Sequence, residues 1–307
     1  MTPGPASPDA DHPLRGIALL VIAVLFFVLL DSTSKHLARQ WPVSLVVWIR
    51  YAVHLLLMVA LLAPRHGTRL VATGRPGLHI LRAACLLVTS WFIVAALQRM
   101  PLAETTAIMF SAPLMVTALA SRLLGEQVGR LRWIAVWFGF VGVLLVAQPT
   151  GDIDINGVLL ALCAATGFAG YQLLTRLLSP TEQPLTLLFW TALVGTVGMS
   201  FTLPWAWHGP APDLWSGTQM VAMGIFGGAG HLLLIKAFRL APASTLSPIL
   251  YIQLAWATLL GWLFFGQLPA LSGLAGIVII AAAGIMTALA ARGHAPHRTK
   301  ITGTNAG

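Results

Sequence analysis

The sequence contains an internal repeat whose two copies are offset by 141 residues. At this offset residues 16–37 superimpose on residues 157–178, and residues 101–126 superimpose on residues 242–267 without a net gap. The matched positions include glycines, prolines and a cation: Gly16 with Gly157, Lys35 with Arg176, Pro101 with Pro242 and Gly125 with Gly266. Two unrelated apolar helices share leucine and alanine by chance, but they rarely keep one offset over separated segments. The chain is therefore predicted to be one module used twice.

The composition predicts a protein that crosses the membrane many times. The chain is 57% apolar and 9% charged, with a mean hydropathy of +0.83, so lipid must solvate much of its surface. Stretches of about 20 apolar residues are long enough to span the hydrocarbon as helices. Ten such stretches are predicted, five per module: 15–36, 43–63, 78–98, 102–122, 131–148, 157–178, 184–204, 216–237, 242–264 and 270–291.

The cations fall mainly on one side of this arrangement. With the N-terminus inside, fourteen Lys and Arg residues lie in cytoplasmic segments, and only Lys35, Arg39 and Arg99 lie outside. Cytoplasmic loops carry such an excess, so both termini are predicted to be cytoplasmic in a multi-pass protein of a bacterial inner membrane. The net charge of +9 then reflects topology. It does not indicate nucleic-acid binding, because the cations form no stripe with interleaved aromatic residues.

An odd number of helices per module makes the second copy enter the membrane in the opposite sense. Inverted repeats of this kind are a recurrent construction of secondary transporters, in which the binding site lies between the repeats. The predicted units are a first repeat over residues 15–149 and a second, inverted repeat over residues 155–291. Residues 1–14 and 292–307 are predicted to be disordered ends.

The junctions around the fourth and ninth predicted helices carry a family resemblance. The residues concerned are Ala96-Leu97, Pro101-Leu102-Ala103, Pro113 and Gly125-Glu126 in the first copy, and Ala237-Phe238, Pro242-Ala243-Ser244 and Gly266-Gln267 in the second. They resemble the drug/metabolite transporter superfamily, specifically its ten-helix EamA-type branch, over about residues 15–291. The resemblance implies an all-α integral membrane fold of two inverted five-helix repeats. Within the branch the chain is similar to amino-acid exporters, including the aromatic amino-acid exporters of the YddG type. Gln267 replaces the usual acidic residue, so no coupling role is assigned there.

Ionisable side chains inside the membrane are few and normally face a bundle interior or a cavity. Arg50 and His54 lie on one stripe of helix two together with Tyr51, and Asp31 lies at a similar depth on helix one. Two interpretations remain open for these residues. Asp31 and Arg50 form a structural ion pair, or Arg50 binds the substrate directly.

Other polar positions complete the set of candidate site residues. Helix nine carries a polar stripe that includes Ser247 and Tyr251, and Tyr251 is expected to line one central cavity with His54. Arg82, near the start of helix three, is interpreted as an anchor whose side chain reaches water at the membrane surface. The predicted substrate-binding residues are Arg50, His54, His79, Trp91, Ser247, Tyr251 and His231. The predicted structural or gating residues are Asp31, Pro113 and Pro248.

Helices five and ten are predicted to be scaffold. Residues 134–147 and 274–288 contain almost no polar side chain but keep several glycines, which allow helices to approach closely. These two helices are expected to buttress the repeats or to meet a second protomer, so a homodimer is possible but not required. The two cysteines, Cys85 and Cys163, lie at non-equivalent repeat positions and are not expected to form a disulfide.

The sequence favours transport over catalysis. The longest loops have about fifteen residues and contain no Gly-rich phosphate loop, metal-spaced His/Cys set or Ser/His/Asp arrangement. No enzyme activity, cofactor or metal is expected; Asp31 with His54 is only a weak candidate for an intramembrane acid/base pair. The preferred hypothesis is a secondary exporter of small organic solutes, most of all amino acids, working by alternating access. The alternative is an uptake carrier of the same fold for nucleotide precursors or S-adenosylmethionine.

The predicted topology can be tested by labelling cysteines from outside whole cells with an impermeant maleimide. Asp152→Cys, in a predicted periplasmic loop, should react because that loop faces the reagent, and Thr68→Cys, in a predicted cytoplasmic loop, should be spared. The wild-type chain serves as the control for Cys85 and Cys163. Labelling at Thr68→Cys with protection at Asp152→Cys would contradict the orientation and the repeat model built on it.

Overall fold

The computed structural model describes an all-helical protein over residues 13–123, 130–147, 154–179, 181–207, 211–241, 246 and 249–292. The first repeat contains α1 (Pro13–Leu37), α2 (Val43–His66), α3 (Pro76–Arg99), α4 (Leu102–Met109), α5 (Ala112–Leu123) and α6 (Arg130–Ala147). The second contains α7 (Ile155–Leu178), α8 (Pro184–Ser200), α9 (Leu203–Ala206), α10 (Leu214–Leu240), α11 (Ile252–Phe265) and α12 (Leu271–Arg292). A 3-10 helix, Gly67–Leu70, follows α2.

Five helices of the described residues are long and apolar enough to cross a membrane, and five shorter apolar helices accompany them. The long spans are Leu14–Leu37, Val43–Leu70, Pro76–Arg99, Ile155–Leu178 and Leu214–Phe238. The hydrocarbon offers no partner for backbone N–H and C=O groups, and a helix satisfies those groups within its own segment. The predicted all-α integral membrane fold of ten apolar segments is therefore confirmed.

Local interactions fix where several helices begin and end. At the start of α7, the Asp154 carboxylate accepts a hydrogen bond of 2.9 Å from the Asn156 backbone N–H. A second hydrogen bond, from the Arg99 guanidinium, is the main reason that the pKa of the Asp154 carboxyl lies below its usual value. At the end of α11, Gly266 adopts the left-handed conformation (φ 64°) and donates its N–H to the Trp262 carbonyl. A side chain at Gly266 would strain this helix end.

The fourth predicted membrane helix is not continuous, which corrects the prediction of one span over residues 102–122. The chain turns at Phe110 and Ser111, between α4 and α5. Pro113 has no N–H to donate to the Met109 carbonyl, so it cannot continue a regular helix, whereas it is tolerated in the first turn of a new one. Pro113 lies in the first turn of α5.

The second repeat is interrupted at the equivalent position. The chain turns at Leu250 and Tyr251 before α11 begins, and the offset of 141 residues carries Phe110 onto Tyr251. The two aromatic rings contact each other, with centroids 4.9 Å apart. Pro248, the predicted structural residue of this span, lies outside the described residues. The two interruptions therefore meet at the boundary between the repeats.

The main helix crossings also occur in pairs related by the repeat. Gly16 on α1 packs against α10, where an added Cβ would lie 2.8 Å from the Cβ of Ala241. Gly157 on α7 packs against the end of α3, where an added Cβ would lie 2.5 Å from Cγ of Met100. The repeat offset carries Gly16 onto Gly157 and Met100 onto Ala241. One close contact is thus made twice, and each repeat binds the other through it.

The fifth and tenth membrane helices, α6 and α12, pack against each other. A Cβ added to Gly276 would lie 2.6 Å from the Gly142 carbonyl oxygen, so the two backbones are nearly in contact. The outer side of α6 carries large exposed apolar residues such as Trp137 and Phe138. This arrangement agrees with the predicted scaffold role, and pairing with a second protomer remains a prediction.

The close approach of α6 and α12 predicts a large effect from one methyl group. Gly276→Ala should lower the free energy of unfolding by about 1–3 kcal/mol, because the new Cβ meets backbone that cannot rotate away. Gly217→Ala is the matched control: a Cβ there has no neighbour within 4 Å, so stability should be unchanged or slightly raised. Thermal unfolding in detergent measures both. Equal Tm values for the two variants would contradict the packing.

Candidate functional site

A small cavity lies between helices of both repeats. Helices α2 and α3 of the first repeat and α7, α8 and α10 of the second contribute its walls. The lining residues are Arg50, Tyr51, His54, Leu86, Tyr171, Leu188, Thr191, Gly227 and His231. Three of the predicted substrate-binding residues, Arg50, His54 and His231, are therefore brought together.

Part of the lining comes from equivalent positions of the two copies. The repeat offset carries Arg50 onto Thr191 and Leu86 onto Gly227, and all four residues line the cavity. The same helix faces thus enclose the cavity from both sides, but their chemistry differs. Arg50 on α2 corresponds to Thr191 on α8, so the first repeat contributes a guanidinium where the second contributes a hydroxyl.

Of the two interpretations that the sequence left open for Asp31 and Arg50, the structure does not support the ion pair. The two groups interact electrostatically, but no nitrogen–oxygen distance of 4.0 Å or less joins them. Similar depth on consecutive helices does not fix the direction in which each side chain leaves its helix, and depth was the basis of the prediction. The Arg50 guanidinium lies 5.8 Å from the centroid of the Tyr51 ring. It donates no hydrogen bond to any described residue.

His54 and His231 present two nearly parallel rings in the cavity. Their centroids are 6.1 Å apart and their planes are inclined by 13°. Phe27 packs edge-on against His231 at 4.9 Å and supports that ring from α1. Neither imidazole forms a hydrogen bond with a described residue. Both rings therefore keep donor and acceptor nitrogens available to a ligand.

Tyr51 holds the middle of this wall. Its hydroxyl lies 3.2 Å from the Leu86 carbonyl and 2.7 Å from the Ser90 hydroxyl. A carbonyl only accepts, so Tyr51 donates to Leu86 and Ser90 donates to Tyr51. The ring rests on Gly195 of α8, where an added Cβ would lie 2.5 Å from the ring. Tyr51 thus joins α2 to α3 through hydrogen bonds and to α8 through packing.

Arg82 is not a surface anchor, which corrects its interpretation from the sequence. The residue is 2% exposed, and its guanidinium points between α7 and α8. It donates hydrogen bonds to Thr175 (2.7 Å), Tyr171 (2.8 Å), Thr191 (2.9 Å) and the Leu187 carbonyl (3.0 Å). The guanidinium carbon also lies 4.4 Å from the centroid of the Tyr171 ring. All four acceptors are neutral, so the Arg82 guanidinium has no carboxylate partner among the described residues.

The equivalent position in the second repeat has different chemistry. The repeat offset carries Arg82 onto Met223 and Ser34 onto Thr175. The Ser34 hydroxyl contacts the Met223 sulfur at 3.0 Å, just as Arg82 contacts Thr175. In the predicted topology α3 and α10 enter from opposite sides of the membrane. A cationic hydrogen-bonded cluster therefore holds one end of the helix core, and a sulfur contact in apolar packing holds the other.

His79 lies apart from the cavity, near the start of α3, where it contacts the segment that precedes α8. Its side chain is fully buried, with Nε2 3.3 Å from the Glu182 carboxylate and the ring beside Trp190. The Thr73 hydroxyl donates to the same carboxylate at 2.8 Å. These contacts join the segment before α3 to the segment before α8, so they connect the two repeats.

Tyr251 also lies apart from the cavity and from His54. It is packed with Phe110 and with α12, where an added Cβ on Gly284 would lie 1.7 Å from the Tyr251 hydroxyl oxygen. The sequence pattern of helix nine predicted a wetted wall. Because the chain turns at Tyr251, this side chain instead packs at the boundary between the repeats.

The remaining predicted site residues fall elsewhere. Trp91 is 37% exposed, and its indole N–H donates to Ser44 at 3.3 Å near the outer part of α3. Ser247 lies outside the described residues. Their contact with substrate stays a prediction.

Six of the nine lining residues were not among the predicted substrate-binding residues: Tyr51, Leu86, Tyr171, Leu188, Thr191 and Gly227. Tyr171 and Thr191 accept hydrogen bonds from Arg82. They were missed because Arg82 was predicted from its sequence position to lie at the membrane surface. The internal repeat contained a usable signal for Thr191, since the offset carries Arg50 onto it. No comparable signal exists for Leu188, whose apolar side chain resembles any other in α8.

Comparison with known proteins gives a consistent family. The model of the EamA-like transporter family matches residues 14–148 and again residues 155–289. A riboflavin transporter of Vibrio cholerae is 28% identical over 84% of this chain and 87% of its own length. An S-adenosylmethionine uptake transporter of Rickettsia felis is 28% identical over 87% of this chain and 90% of its own. A pseudopaline exporter of Pseudomonas aeruginosa is 25% identical, over 88% and 94%.

A solved crystal structure shares the fold. It aligns with a TM-score of 0.64 at 17% identity, over 92% of this chain and 97% of that chain. At this identity the likeness concerns the fold alone. The expected likeness to aromatic amino-acid exporters of the YddG type is not confirmed by the relatives named above.

The Arg82 cluster predicts that lysine cannot replace arginine. Arg82→Lys should lower the free energy of unfolding by about 2–3 kcal/mol, because an ammonium cannot reach four acceptors arranged around a planar guanidinium. Arg65→Lys, on an exposed residue at the end of α2, is the control and should leave Tm unchanged. Thermal unfolding in detergent distinguishes them. An Arg82→Lys protein as stable as the wild type would show that the cluster does not hold the helices together.

Proposed function

Because the chain belongs to the EamA-like transporter family, we propose that it is a secondary transporter that takes up a small organic metabolite through the central cavity. The observation that carries this proposal is the position of the cavity. Its walls come from both repeats, and its polar side chains Arg50, His54 and His231 belong to helices α2 and α10, which pack against each other. A site between two inverted repeats is alternately exposed when one repeat moves against the other.

The contacts between the repeats support alternating access. Arg82 binds α7 and α8 from α3, and the segment before α3 is joined to that before α8 through Thr73 and Glu182. The equivalent end is held by the Ser34–Met223 contact. Opening one end requires these hydrogen bonds to break, and opening the other requires apolar surfaces to separate. Closure of the two ends therefore rests on different interactions.

The named relatives support a direction and a substrate class for this proposal. Two of those relatives are uptake or vitamin transporters, for S-adenosylmethionine and for riboflavin. Uptake of a vitamin-like or nucleotide-like metabolite is therefore preferred to amino-acid export. Export is the second candidate, because the pseudopaline relative is an exporter and a gradient-driven carrier can run in either direction.

Transport by the purified protein in liposomes tests the proposal. Radiolabelled riboflavin, S-adenosylmethionine and an amino-acid panel are offered with and without a pH gradient. Accumulation of one of the two metabolites should exceed that in protein-free vesicles, and His231→Leu should reduce it at least about tenfold by removing a ring from the cavity.

Cys163→Ser is the matched control for this assay, since Cys163 is exposed on α7 and does not line the cavity. This variant should transport as the wild type does. Transport of amino acids alone would favour the exporter alternative. Transport that is unaffected by His231→Leu would contradict the assignment of the cavity as the substrate site.

A further inference from the structure

The charge of the cavity bears on the kind of metabolite that it accepts, an inference that rests on the proposed function. Arg50 lines the cavity without a hydrogen bond or an ion pair to any described residue. Arg82 stands directly behind the wall, since its partners Tyr171 and Thr191 are lining residues. Both cations lie close enough to His231 on α10 to act on it electrostatically.

No acidic side chain is among the described lining residues. Asp31 is the acidic residue that Arg50 influences, and it contributes neither a contact to Arg50 nor a part of the lining. Arg50 is the permanently charged side chain among the described lining residues, so the lining carries positive charge. Within a membrane protein an exposed guanidinium is stabilised by a ligand that brings negative charge or acceptor oxygens, and it repels a cation by the same interaction.

The ring pair adds a shape requirement. His54 and His231 are inclined by 13° with centroids 6.1 Å apart, whereas a flat ring between two others requires about 7 Å, since stacked rings lie at van der Waals contact of about 3.5 Å. The two rings would therefore have to separate by at least about 1 Å to admit one aromatic ring. The edge contact with Phe27 limits how far the His231 ring can move.

We propose that the cavity selects flat heteroaromatic solutes whose carbonyl oxygens or anionic groups meet Arg50, and that it discriminates against cationic solutes. In chemical terms it suits an uncharged, carbonyl-rich flavin better than a sulfonium compound. His54 and His231 hold the ring between them. Arg50 interacts with a negative charge or with acceptor oxygens at the edge of the bound ring.

A pair of nearly identical ligands isolates the charge. S-adenosylmethionine and S-adenosylhomocysteine differ by one methyl group and the positive charge of the sulfonium. Equilibrium dialysis of each radiolabelled compound with the full-length protein in detergent should show S-adenosylhomocysteine binding at least about tenfold more tightly, and riboflavin binding more tightly than S-adenosylmethionine. Arg50→Gln should remove most of the preference between the adenosyl compounds, whereas Arg65→Gln on the exposed end of α2 should keep it.

Two variants of one position test the ring pair in the same assay. His54→Phe keeps a flat ring and should bind riboflavin within about threefold of the wild type, whereas His54→Leu should bind it about tenfold more weakly. Equal riboflavin affinities for the two variants would overturn the stacking arrangement.

Other outcomes overturn the charge assignment. These are S-adenosylmethionine binding as tightly as S-adenosylhomocysteine, a preference that survives Arg50→Gln, or failure of all three probes to bind. Uptake into liposomes without a charge preference would overturn this inference and leave the proposed function standing. A charge preference in binding without uptake of any metabolite would contradict the proposed transport function and leave this inference standing.

Discussion

A guanidinium group inside a membrane requires hydrogen-bond acceptors, and Arg82 finds them on helices of the other repeat. Its four hydrogen bonds reach two helices of the other repeat and fix Tyr171 and Thr191 in place. Those two residues form one wall of the central cavity. The shape of the cavity therefore depends on how one buried charge is satisfied. Arg50 is the opposite case: it lines the cavity and has no hydrogen-bond or ion-pair partner in the part of the chain that the structure describes.

The internal repeat determines the packing of the helices, and positions where the two copies differ determine the chemistry of the cavity. Gly16 and Gly157 make the same close contact in the two copies, and Phe110 meets its equivalent Tyr251 at the interruptions of the two halves. Equivalent positions that line the cavity or adjoin it have diverged, as when Arg50 corresponds to Thr191. A carrier with two identical ends would close both ends by the same interactions. Here Arg82 and its counterpart Met223 make the ends unequal.

Patterns along the chain predicted the membrane segments, the duplication and the scaffold helices, because these depend on composition and local spacing. They also indicated that Arg50, His54 and His231 face the bundle interior, because an ionisable side chain in a membrane helix normally avoids lipid, and all three line the cavity. Their contact with substrate stays a prediction. The failures concern geometry that sequence does not carry. The Asp31–Arg50 pair required the rotation of each helix about its axis, and the position of Tyr251 depended on an interruption that turns the side chain away. Arg82 looked like an interfacial cation because its acceptors lie about 90 residues or more away in sequence.

Substrate protection of a cysteine at Leu188 tests most directly whether the metabolite occupies the cavity between the repeats. Leu188→Cys, in a chain whose Cys85 and Cys163 are replaced by serine, places a thiol in the lining. A small water-soluble thiol reagent should modify it, and saturating riboflavin should slow the reaction at least about tenfold, because bound ligand excludes the reagent. Unchanged reactivity under conditions in which the same protein transports riboflavin would contradict the account.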